Sequence, residues 1–200
     1  MSKMPMQPTQ VRAEKTRQKL IDASIECLAK HGYAGAQLGL ISEYAGVSRR
    51  PRQYYFPTRI SLMSEVWHEI RRRDDDAFNR LHGDAQPLTV TVERILESAF
   101  NKYRTSQYLA DLELKLAMRS DAALAAELGP LIEQREHEAD EAWVQLFAAL
   151  GKSRTELIAI RYLHVSLLRG LAVEFLSRED HSQLPTLEEQ FKRIMHAALA

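Results

Sequence analysis

The 200-residue chain carries 27 Lys and Arg against 27 Asp and Glu and is 45% hydrophobic, enough for one or two packed domains and without a net charge that would draw the whole molecule to a polyanion or a membrane. The charge is unevenly spread, however: residues 1–73 hold 13 basic against 6 acidic side chains, and residues 74–200 hold 14 against 21, so contact with a polyanion is expected in the first third alone. Cys27 is the only cysteine, which excludes an intrachain disulfide and makes the cytoplasm the expected compartment.

In chain order, Met1 to Val11 mixes Met, Pro and Gln without the apolar run of a signal peptide and is expected to be a frayed arm. A first helix is expected from about Thr16 to His31, with Leu20, Ile21, Ala23, Ser24, Cys27 and Leu28 as its apolar stripe and Gly32 as its C-terminal cap. Two short helices follow, near Leu38–Ala45 and Arg49–Tyr55. They are separated by Ala45-Gly46-Val47-Ser48, where Gly46 tolerates positive φ and Ser48 is placed to cap. Pro51 falls in the first turn of the second, where no intrahelical amide is lost. A long helix from about Thr58 to Leu81 then leads to the polar loop His82 to Pro87.

Beyond that loop the spacing predicts helices near Leu88–Thr105, Gln107–Arg119, Asp121–Leu150, Arg154–Arg178 and Thr186–Leu199. Ser153 with Glu156, and Thr186 with Glu189, have the spacing of capping boxes. No segment alternates as a half-buried strand does, so the fold is expected to be all-α, with about nine helices. The expected divisions are an arm with the first three helices over 1–57, a connecting helix over 58–81, and a second helical domain over 82–200. The most apolar stretch, Leu157 to Leu176, is broken by Arg161, His164, Arg169 and Glu174, which argues against a membrane span.

The run Gln37 to Phe56 places a tight turn between two short helices. A helix presented in that way fits the major groove and sets its first residues against base edges. Ser48, Arg49, Arg50, Arg52, Gln53, Tyr54 and Tyr55 supply the chemistry: Gln pairs with adenine and Arg with guanine. Tyr hydroxyls, Thr58 and Arg59 suit phosphate oxygens, and Thr16 and Gln37 complete the expected DNA-binding set.

This segment resembles the TetR/AcrR family of bacterial repressors. The resemblance rests on His31-Gly32-Tyr33, Ile41, Ala45-Gly46-Val47-Ser48, Tyr55-Phe56-Pro57 and Leu62. It implies an N-terminal three-helix DNA-binding domain and an all-α C-terminal domain that binds a small-molecule effector and forms a homodimer on palindromic, double-stranded operator DNA. Three positions depart from the family pattern: Ala36 stands where a Thr cap is common, Arg50 where Gly is common, and Arg52 where an aliphatic residue faces the first helix. Burying a charge there is costly, so Arg52 is expected to snorkel toward the DNA backbone or to rotate its helix slightly.

Phe100, Tyr103, Tyr108, Trp143, Phe147 and His164 are candidates to line an effector cavity, core packing being the alternative for each. Arg71 to Asp76 alternates basic and acidic triplets at helical pairing distance and is read as a solvated face. The competing class is a helical-bundle metal carboxylate enzyme. It needs two Glu-x-x-His pairs, whereas Glu65-Val66-Trp67-His68 is the single instance, so no metal, cofactor or catalytic residue is expected.

Overall fold

The computed structural model describes residues 8–82 and 88–200, which form nine α-helices with no strand among them. They are α1 (Pro8–Gly35), α2 (Leu38–Ala45), α3 (Arg49–Tyr55), α4 (Arg59–His82), α5 (Leu88–Lys102), α6 (Ser106–Ala117), α7 (Ala122–Leu146), α8 (Arg154–Ser177) and α9 (Leu184–Leu199). A single 3-10 turn, Ala148–Leu150, follows α7. No helix among the described residues is long and apolar enough to cross a membrane.

α1 starts at Pro8, eight residues before the expected Thr16, so the last part of the expected arm is helical. The expected stripe faces inward throughout: Leu20, Ser24, Cys27 and Leu28 are fully buried, and Ile21 and Ala23 nearly so. Burial also pushes the Cys27 thiol up, which keeps it protonated and unreactive. Gly32 breaks the helix at φ 67, ψ 174, a region open to glycine alone, and the chain resumes helical turns for three residues before α2.

Two compact units emerge. One takes the chain up to Asp74 together with Ala110–Glu127, and the other takes Asp75–Leu109 with Leu128–Ala200. The end of α6 and the start of α7 therefore pack with α1 and α4, which a boundary drawn at the loop after α4 does not anticipate. The fastenings are polar. Glu113 accepts from the Tyr33 amide at 3.0 Å, Ser64 donates to Glu127 at 2.7 Å, and Arg71 meets Asp111 at 3.0 Å.

The Arg71 to Asp76 run is only in part the solvated face expected: Arg72 and Asp76 are exposed, whereas Arg71 and Asp74 are largely covered. Arg71 and Asp74 pair at 3.2 Å with side chains only 18% and 11% exposed. Arg72 and Arg73 both bond to Glu69, and Arg73 also reaches Asp22. Packing of α1 and α6 around this part of α4 removes the water that would otherwise solvate Arg71 and Asp74.

In the second unit Ser153 and Glu156 form the expected capping box. The Glu156 amide donates to Ser153 Oγ at 3.3 Å, and the Ser153 amide donates to Glu156 Oε2 at 2.8 Å. The second box does not form. α9 begins two residues earlier, at Leu184 with Pro185 in its first turn, so Thr186 lies inside the helix. The preset φ of Pro185 and its missing amide make it the better opening residue. α9 then packs along α8 through Leu184, Phe191, Met195 and Leu199.

Candidate nucleic-acid interface

The turn between α2 and α3 follows from Gly46. At φ 61, ψ 33 it occupies the left-handed region, its amide donates to the Glu43 carbonyl at 3.1 Å, and the next amide, of Val47, donates to Ser42 at 3.0 Å. This double return closes the C-terminus of α2 and reverses the chain within three residues. Ile41 from α2 and Phe56 after α3 are buried against α1, fixing the pair of short helices to the unit. Thr58 and Ser61 cap α4 reciprocally: the Ser61 amide donates to Thr58 Oγ1 at 3.0 Å and the Thr58 amide to Ser61 Oγ at 3.3 Å.

One face of α3 is left to solvent. Arg49, Arg50, Gln53 and Tyr54 are exposed, Tyr54 to 82%, and Tyr54 stands edge-on to the half-buried Tyr55 with ring centres 5.2 Å apart. Gln37 and Ser48, at the N-caps of α2 and α3, are exposed as well. Ser48 occupies the cap position through its extended backbone, but its hydroxyl makes no capping bond, contrary to expectation; the Gln37 amide nitrogen turns back to the Ala34 carbonyl at 2.6 Å.

Three residues of the expected set stand apart from this face. Thr16 is half-buried within α1, its hydroxyl bonded to the Arg12 carbonyl at 3.0 Å. The Arg59 guanidinium lies over the Tyr33 ring, 3.7 Å from its centre, and donates to the Tyr33 carbonyl, so it fastens α4 to the end of α1. Arg52 is 8% exposed and does not snorkel outward. It lies in an open cleft of about 660 Å³ between α2 and α3, together with Leu38, Gly39, Ser42 and Gly46. A Cβ on Gly39 or Gly46 would meet nothing within 4 Å, so the cleft stays open on the glycine side.

Most of the expected effector residues gather in the second unit. Trp143 and Phe147 lie with ring centres 4.6 Å apart, Trp143 and His164 at 5.5 Å, His164 and Phe191 at 5.4 Å, and Phe191 and Phe100 at 5.1 Å. Phe191 joins the cluster without having been expected there. Its sequence signal was an inward position on α9, which spacing alone does not distinguish from ordinary core. Tyr103 is fully buried beside it and donates to Glu188 at 2.9 Å; burial and that bond hold its hydroxyl up at about 12. Tyr108 is half-buried on α6. Burial, and after it the charge of Arg161, push His164 down to about 4, so its imidazole is neutral.

Glu65 is paired with Arg17 and His68 is exposed, so this Glu-x-x-His stretch does not present a joint pair of ligands.

A glycine-turned pair of short helices, the second exposing arginines, a glutamine and a tyrosine, defines a helix-turn-helix regulator of transcription. No family model matches the chain. It is 26% identical over 196 residues to the HTH-type transcriptional regulator CymR of Pseudomonas putida, covering 98% of this chain and 93% of that protein. It is also 32% identical over 103 residues to the HTH-type transcriptional regulator AcrR of Shigella flexneri, covering 48% of this chain and 47% of that one. Among solved structures it is similar to a TetR-family regulator from Rhodococcus, with a TM-score of 0.69 at 21% identity over 92% of this chain and 97% of that one. A second is the multidrug binding protein EbrR complexed with malachite green, with a TM-score of 0.55 at 21% identity over 92% and 98%. The chain is thus similar over nearly its whole length to a curated HTH-type transcriptional regulator, and its all-helical fold is that of the TetR-family structures. The relatives also decide against the metal carboxylate enzyme, since they are transcriptional regulators.

Proposed function

We propose that the protein is a cytoplasmic, homodimeric repressor that holds a palindromic operator and releases it when a small molecule enters residues 82–200. The observation that carries the DNA part is the exposed face of α3, where Arg49, Arg50, Gln53 and Tyr54 stand on a unit whose chain segment is net basic. Gln53 reads a base edge, Arg49 and Arg50 supply guanine contacts or phosphate neutralisation, and Tyr54 reaches a phosphate.

Dimerisation is supported by apolar surface on the last two helices. Tyr162, Leu163, Val173 and Leu176 on α8, and Leu187 and Ile194 on α9, are each more than 40% exposed. Gly170 is exposed between them, with open space where a Cβ would stand. A symmetric four-helix contact buries all of these, and two recognition helices then fall about 34–36 Å apart, or at a multiple of that, along the operator.

Release is supported by continuity of the chain: α4 runs unbroken from Arg59 to His82 and passes from the first compact unit into the second. Loosening operator binding a hundredfold takes about 2.7 kcal/mol of differential ligand affinity, within the ordinary range of allosteric coupling.

The test is fluorescence anisotropy on a palindromic operator selected from random DNA. Gln53→Ala is expected to lose about 1–3 kcal/mol of discrimination at one base position while binding to random DNA stays unchanged. Equal loss on both DNAs would mean that α3 does not read sequence.

A further inference from the structure

Two polar atoms in the aromatic cluster of the second unit stand buried without a hydrogen-bond partner among the described residues, Trp143 Nε1 and His164 Nδ1. Both side chains are more than nine-tenths buried, and their rings lie 5.5 Å apart, between Phe147 on one side and Phe191 on the other. Buried polar atoms are almost always paired, and two unpaired ones on touching rings mark a position that a polar group completes.

The charges around the cluster say which group. Arg161, one turn before His164 on α8, is buried and bonded to both Asp140 and Glu136, and Arg169 lies 3.6 Å from Glu136. The cations on α8 nearest His164 are thus matched by carboxylates, and Lys192 stands at the far edge of the cluster, over the Phe100 ring at 5.4 Å. Trp Nε1 donates only, while a neutral imidazole offers a lone pair on one nitrogen. A hydroxyl satisfies both, accepting from the indole and donating to the imidazole, whereas a carboxylate accepts only and an ether cannot donate. The rings on either side favour a planar aromatic body, stacked or edge-on.

Resting on the effector reading above, we infer that Trp143 and His164 form the recognition pair of an effector site for uncharged phenols, with Phe147 and Phe191 holding the ring. The neutrality of His164 fits this assignment, since its depressed pKa leaves the imidazole free to accept the phenolic hydrogen across the physiological range.

The test uses the full chain with Trp67→Phe, which leaves Trp143 as the sole fluorescent tryptophan of the two in the sequence. At pH 7.5 it is titrated with 4-ethylphenol, 4-ethylanisole and 4-ethylbenzoate, following Trp143 emission and heat release, with operator DNA in a parallel set. The phenol is expected to quench Trp143 and to bind at least tenfold more tightly than either analogue. His164→Phe, checked for folding by its melting curve, is expected to erase that preference. A preference for the benzoate or the anisole, or no binding of the phenol, overturns the site without any variant being needed. Operator release by a compound that binds His164→Phe as well as wild type also overturns it, while sustaining the effector reading. Tight phenol binding that leaves operator affinity unchanged sustains the site and overturns the effector reading.

Discussion

The Tyr33 hydroxyl donates to Asp121 across 2.7 Å, joining the residue after the Gly32 kink to the residue that opens α7. Asp121 also accepts from the Leu124 amide at 3.0 Å, so one carboxylate caps a helix and anchors the tyrosine. The Tyr33 backbone is held as well, its amide by Glu113 and its carbonyl by Arg59. Four elements, α1, α4, α6 and α7, thus meet at a single residue beside the helix-turn-helix.

Tyr33→Phe removes the hydroxyl and leaves the ring under Arg59. The loss of one half-buried hydrogen bond to a charged group is expected to lower stability by about 1–2 kcal/mol in urea unfolding, with operator affinity little changed at saturating stability. Burial, and then the bond to Asp121, hold the tyrosine at about 12, above its ordinary 10. Between the carboxylate range, where Asp121 takes up its proton, and pH 10 the difference between wild type and variant should therefore be constant, and it should shrink as pH rises from 10 toward 12.

Glu69 gives a second pH test with the opposite sign. Its hydrogen bonds to Arg72 and Arg73, the first foremost, hold its carboxyl at about 2 against the ordinary 4.5, overcoming a burial that pushes upward. The folded state therefore favours the ionised form, and the stabilisation is present above pH 4.5 and lost as pH falls toward 2. With Arg72 60% exposed, solvent screens the pair, and Glu69→Gln is expected to cost on the order of 1–2 kcal/mol at pH 7. The cost should close between pH 4.5 and 2 in denaturation curves collected across that range; a cost independent of pH would show that the carboxylate charge plays no part.

Arg52 separates packing from DNA contact. No hydrogen bond or ion pair reaches its guanidinium among the described residues, and it is buried at the position where the TetR/AcrR pattern noted in the sequence has an aliphatic side chain. Arg52→Leu is expected to raise stability by about 1–3 kcal/mol, because a poorly compensated buried charge is replaced by apolar surface. Operator affinity and its salt dependence should stay as they are. A drop in affinity together with a salt slope shallower by about one would instead assign Arg52 to a phosphate.

What the sequence revealed here was local chemistry. The Gly46 reversal and the Ser153–Glu156 box depend on residues within four positions of one another, and both are present. The Thr186 box had equally good spacing and lost to Pro185, a competitor in the same turn that starts the helix earlier. The inward stripe of α1 was legible because its period matches the helix, whereas the burial of Arg71 and Asp74 was not, since it depends on Ala110–Glu127 folding back against α4. Arg52 could not be placed from its own neighbours either. The cleft that holds it lies between α2 and α3, and the spacing of residues within either helix does not report it. Phe191 joined the aromatic cluster for the same reason: which face of α9 meets α8 is a tertiary choice.

The surface of α8 and α9 supplies the last prediction. On α8, Leu157, Leu168, Leu171 and Ala172 are buried within the chain, while Tyr162, Leu163, Val173 and Leu176 are exposed. Ala172 faces inward, so the close approach of a partner helix falls to Gly170, which is exposed. Val173 is 49% exposed, which suits it to a charge substitution that tests association. Val173→Asp places two like charges near the two-fold axis of a symmetric contact, and burying them unpaired costs several kcal/mol per dimer. Sedimentation at micromolar concentration is expected to show wild type as a dimer and Val173→Asp as a monomer with an unchanged helical signal. On a full palindrome the variant should lose most of its affinity, and on an isolated half-site it should bind as weakly as wild type does. Wild type sedimenting as a monomer, or Val173→Asp remaining a dimer with full operator affinity, would place the dimer contact elsewhere or remove it altogether.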